Sequence, residues 1–149
     1  MRRTIPCIRQ MEDADCGAAC LAMVLDYFDK HVDLGELRDM TGASRDGVTA
    51  LSIVNAARAY RLRARGVKAD IDDLRHVPRG SILHWEFNHF VVFERITPRG
   101  VEIVDPAIGP RVISVSKVSE SFTGVALVFE PGDEFEPRRL ALGRFGWYL

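Results

Sequence analysis

An α+β fold follows from three observations: helical spacing of apolar residues as far as Tyr60, short strand-like runs after Arg61, and turn residues between those runs. Leu21, Val24, Leu25 and Phe28 recur at three- and four-residue spacing, which lays them on one face of a helix that begins at Cys16. A shorter helix over 33–40 is stopped by Thr41-Gly42, and a third over 48–60 follows the candidate cap Asp46. Strands are predicted at 62–67, 81–85, 90–96, 101–104, 111–115 and 124–129, from alternating or continuously apolar patterns. Pro78-Arg79-Gly80, Pro98-Arg99-Gly100 and Gly109-Pro110 supply the turns, and the short connections predict an antiparallel meander. The expected architecture is therefore a set of N-terminal helices packed on a C-terminal antiparallel sheet of five or six strands.

A chain of 149 residues buries one core and is too short for two ordinary ones. With 47% hydrophobic and 28% charged residues, it reads as neither disordered nor fibrous. A formal net charge of -1 argues against nucleic acid as a partner, because phosphate-binding surfaces need a basic excess. No apolar run reaches the roughly 18 residues needed to cross a bilayer. Cys7, Cys16 and Cys20 are an odd count in one short segment, and Met1-Arg2-Arg3 leads into no apolar signal region, so the thiols are expected to be reduced and the chain cytosolic. Pro131 to Pro137 is acidic and breaks the last strand, whereas Arg138 to Leu149 is basic and carries Phe145, Trp147 and Tyr148. That places one domain at 1–131 and a linker at 132–149 with the character of a segment approaching a membrane interface.

A thiol attacks carbonyls only as thiolate, and the N-terminus of a helix favours the thiolate through its dipole and free N–H groups. Cys16 occupies that place, and Gly17 after it leaves the backbone open to substrate. Gln10, six residues upstream, is placed to supply a neutral oxyanion donor beside the Cys16 N–H. Asn88-His89-Phe90-Val91-Val92 sets a histidine at the start of an apolar strand, and Asp105 ends the run Val101-Glu102-Ile103-Val104. Singly, each is an ordinary residue in an ordinary place. Together they stand in the order nucleophile, imidazole, carboxylate, with one hairpin between His89 and Asp105 able to bring the last two into contact.

Gln10, the run Asp15-Cys16-Gly17-Ala18-Ala19-Cys20-Leu21, Ser44-Arg45-Asp46-Gly47, Leu83-His84-Trp85, Asn88-His89-Phe90-Val91-Val92 and Asp105-Pro106 together resemble a known family across residues 5–131. It is the bacteriocin-processing peptidase domain, a papain-like cysteine peptidase found at the cytosolic N-terminus of ATP-binding-cassette exporters. The resemblance implies Cys16 as nucleophile, His89 as acid/base, Asp105 as its orienter and Gln10 as oxyanion amide. It also implies a precursor peptide with a double-glycine leader as substrate, transporter domains in the same polypeptide, and a location on the cytoplasmic side of the bacterial cell membrane. Gly17, Trp85 and Asn88 are the candidate substrate-binding residues, Trp85 as one wall of a channel that admits only glycine. Ser44 to Gly47 reads as a capped turn, Cys20 as core, and Cys7 has no assigned role. No metal or organic cofactor is expected, since the Cys16 and Cys20 pair lacks a second ligand pair, and ATP would serve only a separate transporter domain. Two alternatives share these residues in part: a non-catalytic module that presents the leader to a transporter, and a thiol acyltransferase or amidase.

Overall fold

A computed structural model describes residues 4–43, 48–86 and 88–137. The expected turn at Ser44 to Gly47, with the candidate cap Asp46, and the basic aromatic tail from Arg138 lie outside the described residues.

Three helices come first: α1 (Cys16–Tyr27), α2 (Leu34–Thr41) and α3 (Ala50–Ala59), with a 3-10 turn (Asp13–Asp15) leading into α1. The expected single apolar face of α1 is an underestimate, because every residue from Cys16 to Leu25 is buried. A helix whose small residues (Gly17, Ala18, Ala19, Cys20, Ala22) fill the gaps between its large ones packs on all sides, here between α2, α3 and the sheet. α2 stops where expected: Gly42 takes φ 76° and the Ala43 N–H returns to the Arg38 carbonyl. α3 begins two residues later than the predicted 48, because Thr49 is its cap; Thr49 Oγ1 accepts from Ser52 N at 3.0 Å, and Ser52 Oγ accepts from Thr49 N at 3.0 Å.

The sheet contains β1 (Leu62–Lys68), β2 (Ile82–Trp85), β3 (His89–Thr97), β4 (Gly100–Asp105), β5 (Gly109–Ile113) and β6 (Phe122–Pro131), all antiparallel, in the order β1-β6-β2-β3-β4-β5. β2 to β5 form the expected meander, but β6 departs from it by returning between β1 and β2. The strand predicted to end at Val115 ends at Ile113, because Ser114 caps a further helix, α4 (Val115–Ser121), through a 3.3 Å bond from Lys117 N. A 3-10 segment (Ile71–His76) precedes β2.

Strand alternation divides the core. Ile82, Phe90, Val92, Val104, Leu127 and Phe129 face the helices and pack with α1. Leu83, Trp85, Val91, Phe93, Ile103 and Ala126 face the other way, under Leu74 and Val118 of the 3-10 segment and α4. The packed unit also runs past the expected boundary at 131: Phe135 is buried among α1-side residues, edge-on to Phe28 at 6.5 Å. Among the described residues no helix is long and apolar enough to cross a membrane.

Candidate active site

The N-terminal segment reaches the sheet before entering α1. Ile5 N donates to Glu94 Oε1 at 3.1 Å, Arg9 Nη2 to the Ala107 carbonyl at 3.2 Å, and Gln10 N to the Pro106 carbonyl at 2.9 Å. Gln10 is thereby pinned to the turn after β4, next to Asp105. The chain then makes the 3-10 turn and delivers Cys16 as the first residue of α1, 4% exposed. Cys16 Sγ donates a long bond of 3.7 Å to the Asn88 carbonyl, in the turn between β2 and β3.

His89 opens β3 and Asp105 closes β4, and the pairing of these two strands brings the residues together. His89 Nε2 donates to Asp105 Oδ1 at 2.8 Å, and a side-chain hydrogen bond joins the same imidazole to Cys16. With Nε2 taken by the carboxylate, Nδ1 is the nitrogen left for proton exchange with the thiol. The Asp105 bond, seconded by Cys16 and opposed by burial, pushes His89 from 6.5 up to about 10. Burial would raise the Asp105 carboxyl, but the bonds from His89 and from Ala107 N (2.9 Å), with the His89 charge and Arg111 Nη1 3.8 Å from Oδ2, hold it below its ordinary value. The arrangement sets an imidazole that favours its charged form against a buried carboxylate, with Cys16 among the groups that raise it. Cys20, one turn deeper in α1, is fully buried, and burial foremost keeps it a neutral thiol.

The other candidates fall differently. Gln10 lies on the segment that enters the 3-10 turn before α1, and its Nε2 donates to the Glu12 carbonyl at 3.1 Å. Gly17 does not open onto a cleft: a Cβ there would stand 2.4 Å from Val48 Cγ1, so its bare Cα admits Val48 rather than substrate. Trp85 is paired in register with His89 yet is 4% exposed and packed in the far-side core with Leu74 and Leu83. It fills core instead of walling a channel, because β2 is an inner strand whose Leu83 and Trp85 share a buried cluster with Leu74 and Val118. Asn88 is exposed and presents its carbonyl, not its side chain, to Cys16. A cleft of about 570 Å³ lies between Thr4-Ile5 and β3 to β5 and reaches Arg111, whereas Cys16 does not line it. Asp15 stood in the sequence motif without a role of its own, and Arg38 and Arg111 were not singled out. Arg38 reaches Asp15 from α2 and Arg111 approaches Asp105 from β5, and spacing carries no signal of that.

A family model described as the peptidase C39 family matches residues 4–134. The chain belongs to the peptidase C39 family. Among its relatives, the colicin V secretion/processing ATP-binding protein CvaB of Escherichia coli is 40% identical over 139 residues, covering 93% of this chain and 20% of its own length. The pediocin PA-1 transport/processing ATP-binding protein PedD of Pediococcus acidilactici is 31% identical, covering 86% of this chain and 19% of its own length. This C39 domain thus spans about a fifth of the length of those relatives. It is similar in structure to a double glycine motif protease from an AMS/PCAT transporter solved with the leader peptide, at TM-score 0.81 and 42% identity over 87% of this chain and 95% of that one. The peptidase domain of Streptococcus ComA, a bifunctional ABC transporter of a quorum-sensing pathway, superposes at TM-score 0.80 with 26% identity, over 85% of this chain and 98% of that one. The expected α+β peptidase fold is thereby borne out.

Proposed function

We propose that this C39 domain is a cysteine endopeptidase that removes the leader of a ribosomal precursor peptide by cutting after Gly-Gly, as the processing part of a longer ABC exporter. The observation that carries the reading is the 2.8 Å bond from His89 Nε2 to Asp105 Oδ1, with Cys16, buried at the start of α1, among the groups that raise the imidazole. In the cycle, Cys16 gives its proton to His89 and becomes the nucleophile. The thiolate attacks the carbonyl of the second glycine, and the oxyanion gathers the Gln10 amide and the Cys16 N–H at the first helical position. His89 gives its proton to the leaving amine, then takes one from the water that hydrolyses the thioester. No step calls for a metal or an organic cofactor.

The family membership, the names of the relatives and the leader-bound neighbour support the substrate class. The exporter context of the relatives supports a site on the cytoplasmic side of a bacterial membrane, where precursor and ATP both reside. Incubation with a double-glycine precursor, followed by mass mapping of the products, tests the reading: a leader ending in a free Gly-Gly carboxylate is expected, and Cys16→Ala abolishes it. Equal cleavage by Cys16→Ala would sink the peptidase. Binding without cleavage by the unaltered chain marks a presenting module, and an acyl group on a second nucleophile marks a transferase.

A further inference from the structure

We infer that Asp15 and Arg38 are positioning residues for the oxyanion amide, because together they fix the carbonyl that aims the Gln10 side chain. The inference rests on the peptidase reading above, in which Gln10 donates to the oxyanion.

The Gln10 amide is held by one end. Its Nε2 donates to the Glu12 carbonyl at 3.1 Å, while Oε1 is buried and has no hydrogen-bond partner among the described residues. Turning the amide over would set its oxygen against the Glu12 carbonyl, so only this orientation is satisfied. One N–H is spent on Glu12, and the second is the donor left for the oxyanion. Where that donor points is decided by where the Glu12 carbonyl stands.

Asp15 decides the position of the carbonyl. Its N–H donates to Glu12 O at 3.0 Å, and its carboxylate Oδ2 accepts from Glu12 N at 3.0 Å and Met11 N at 3.3 Å, so the turn is tied on both sides of Glu12. The carboxylate is 0% exposed, and a buried charge is tolerated only when paired. Arg38, on α2, supplies the partner: Nε stands 2.7 Å from Oδ1, and Nη2 is 3.8 Å from the Glu12 carboxylate on the same turn. The pair therefore sets the geometry of the link between the two oxyanion donors, the Gln10 amide and the Cys16 N–H. The His89–Asp105 pair is built from β3 and β4 instead. Thiolate formation and oxyanion geometry are separable.

Kinetics of cleavage of a double-glycine precursor tests this, with Asp15→Asn, Arg38→Gln, Gln10→Ala and the two double variants. Gln10→Ala is expected to lower kcat about 10²-fold. Asp15→Asn and Arg38→Gln lower kcat about 10- to 100-fold with KM unchanged. In the Gln10→Ala background, each costs no more than about twofold further, since the position it serves is gone. The rate of Cys16 alkylation at neutral pH holds within about twofold in every variant, because the His89 pair is intact. Losses that multiply with Gln10→Ala, or alkylation that falls in step with cleavage, overturn the inference. Arg38 is partly exposed, so Arg38→Gln carries the test should Asp15→Asn fail to fold. If the unaltered chain leaves the precursor intact, the function reading fails by that result alone. The inference is then read from a glycyl-glycinal aldehyde, whose hemithioacetal oxygen occupies the same hole: its affinity must fall in each single variant and no further in the doubles.

Discussion

At the scale of single residues, the decisive quantity is the proton on His89. Its value of about 10 lies above the unfolded 6.5, so the imidazolium is favoured by the folded chain. That contribution is whole below about 6.5 and is lost as pH rises through about 10. Alkylation of Cys16, measured in a Cys7→Ser background because Cys7 is exposed, is expected to hold through neutral pH and to change only as His89 deprotonates near 10. Asp105→Asn removes the charge and the bond that raise the imidazole. The upper limb of the pH profile for kcat/KM moves down toward 6.5, and kcat falls roughly 10²- to 10⁴-fold. An alkaline limb unmoved in Asp105→Asn would show that the carboxylate does not govern His89. Cys16, His89, Asp105 and Gln10 were all legible as residues, because a nucleophile at a helix start and polar groups at strand ends leave a mark in the pattern. Gly17 and Trp85 were read toward substrate, and the fold packs both inward: Val48 closes on the Gly17 Cα, and Trp85 joins Leu74 and Leu83 in the far-side core.

At the scale of elements, α1 is fixed by what surrounds it. Gly17→Ala would bring a Cβ within 2.4 Å of Val48 Cγ1 and 3.0 Å of Ile53 Cδ1, forcing α3 and its lead-in away from α1. A loss of about 1–3 kcal/mol is expected in urea unfolding, recovered in part by adding Val48→Ala. Thr49→Ala removes the side chain that accepts from Ser52 N and is expected to cost about 1 kcal/mol, with little change in kcat, because α3 carries no catalytic group. The start of α3 was misplaced in sequence since Val48 continues the apolar spacing, while the reciprocal Thr49-Ser52 bonds decide where the helix begins. α4 escaped notice for a related reason: Val115 to Ser121 is seven residues with only two valines among serines, Lys117 and Glu120, too few apolar positions to mark a helix, and it becomes helical because Ser114 caps it and Val118 finds a buried seat.

At the scale of the whole molecule, the segment after β6 is part of the packed body. Gly132 N donates to the Arg61 carbonyl at 3.0 Å, Lys30 Nζ to the Glu136 carbonyl at 3.1 Å, and Phe135 is 8% exposed against Phe28 at the end of α1. Phe135→Ala is expected to cost about 3 kcal/mol in urea unfolding, and ending the chain at 131 at least as much; no loss in either would return the boundary to 131. The sequence by itself determined the α+β class, the order of helices before strands, the stop of α2 and the four candidate residues of the site, because these depend on short-range periodicity and on residue chemistry that each position carries alone. Only the tertiary structure decided that β6 inserts between β1 and β2, that α1 is buried on every side, and that Asp15 finds Arg38, His89 finds Asp105 and Phe135 finds Phe28. Those pairings are set by which surfaces meet once the sheet closes against the helices. Cys16 has neighbours from β3 and the turn before it, more than 70 residues away, whose approach no local pattern encodes.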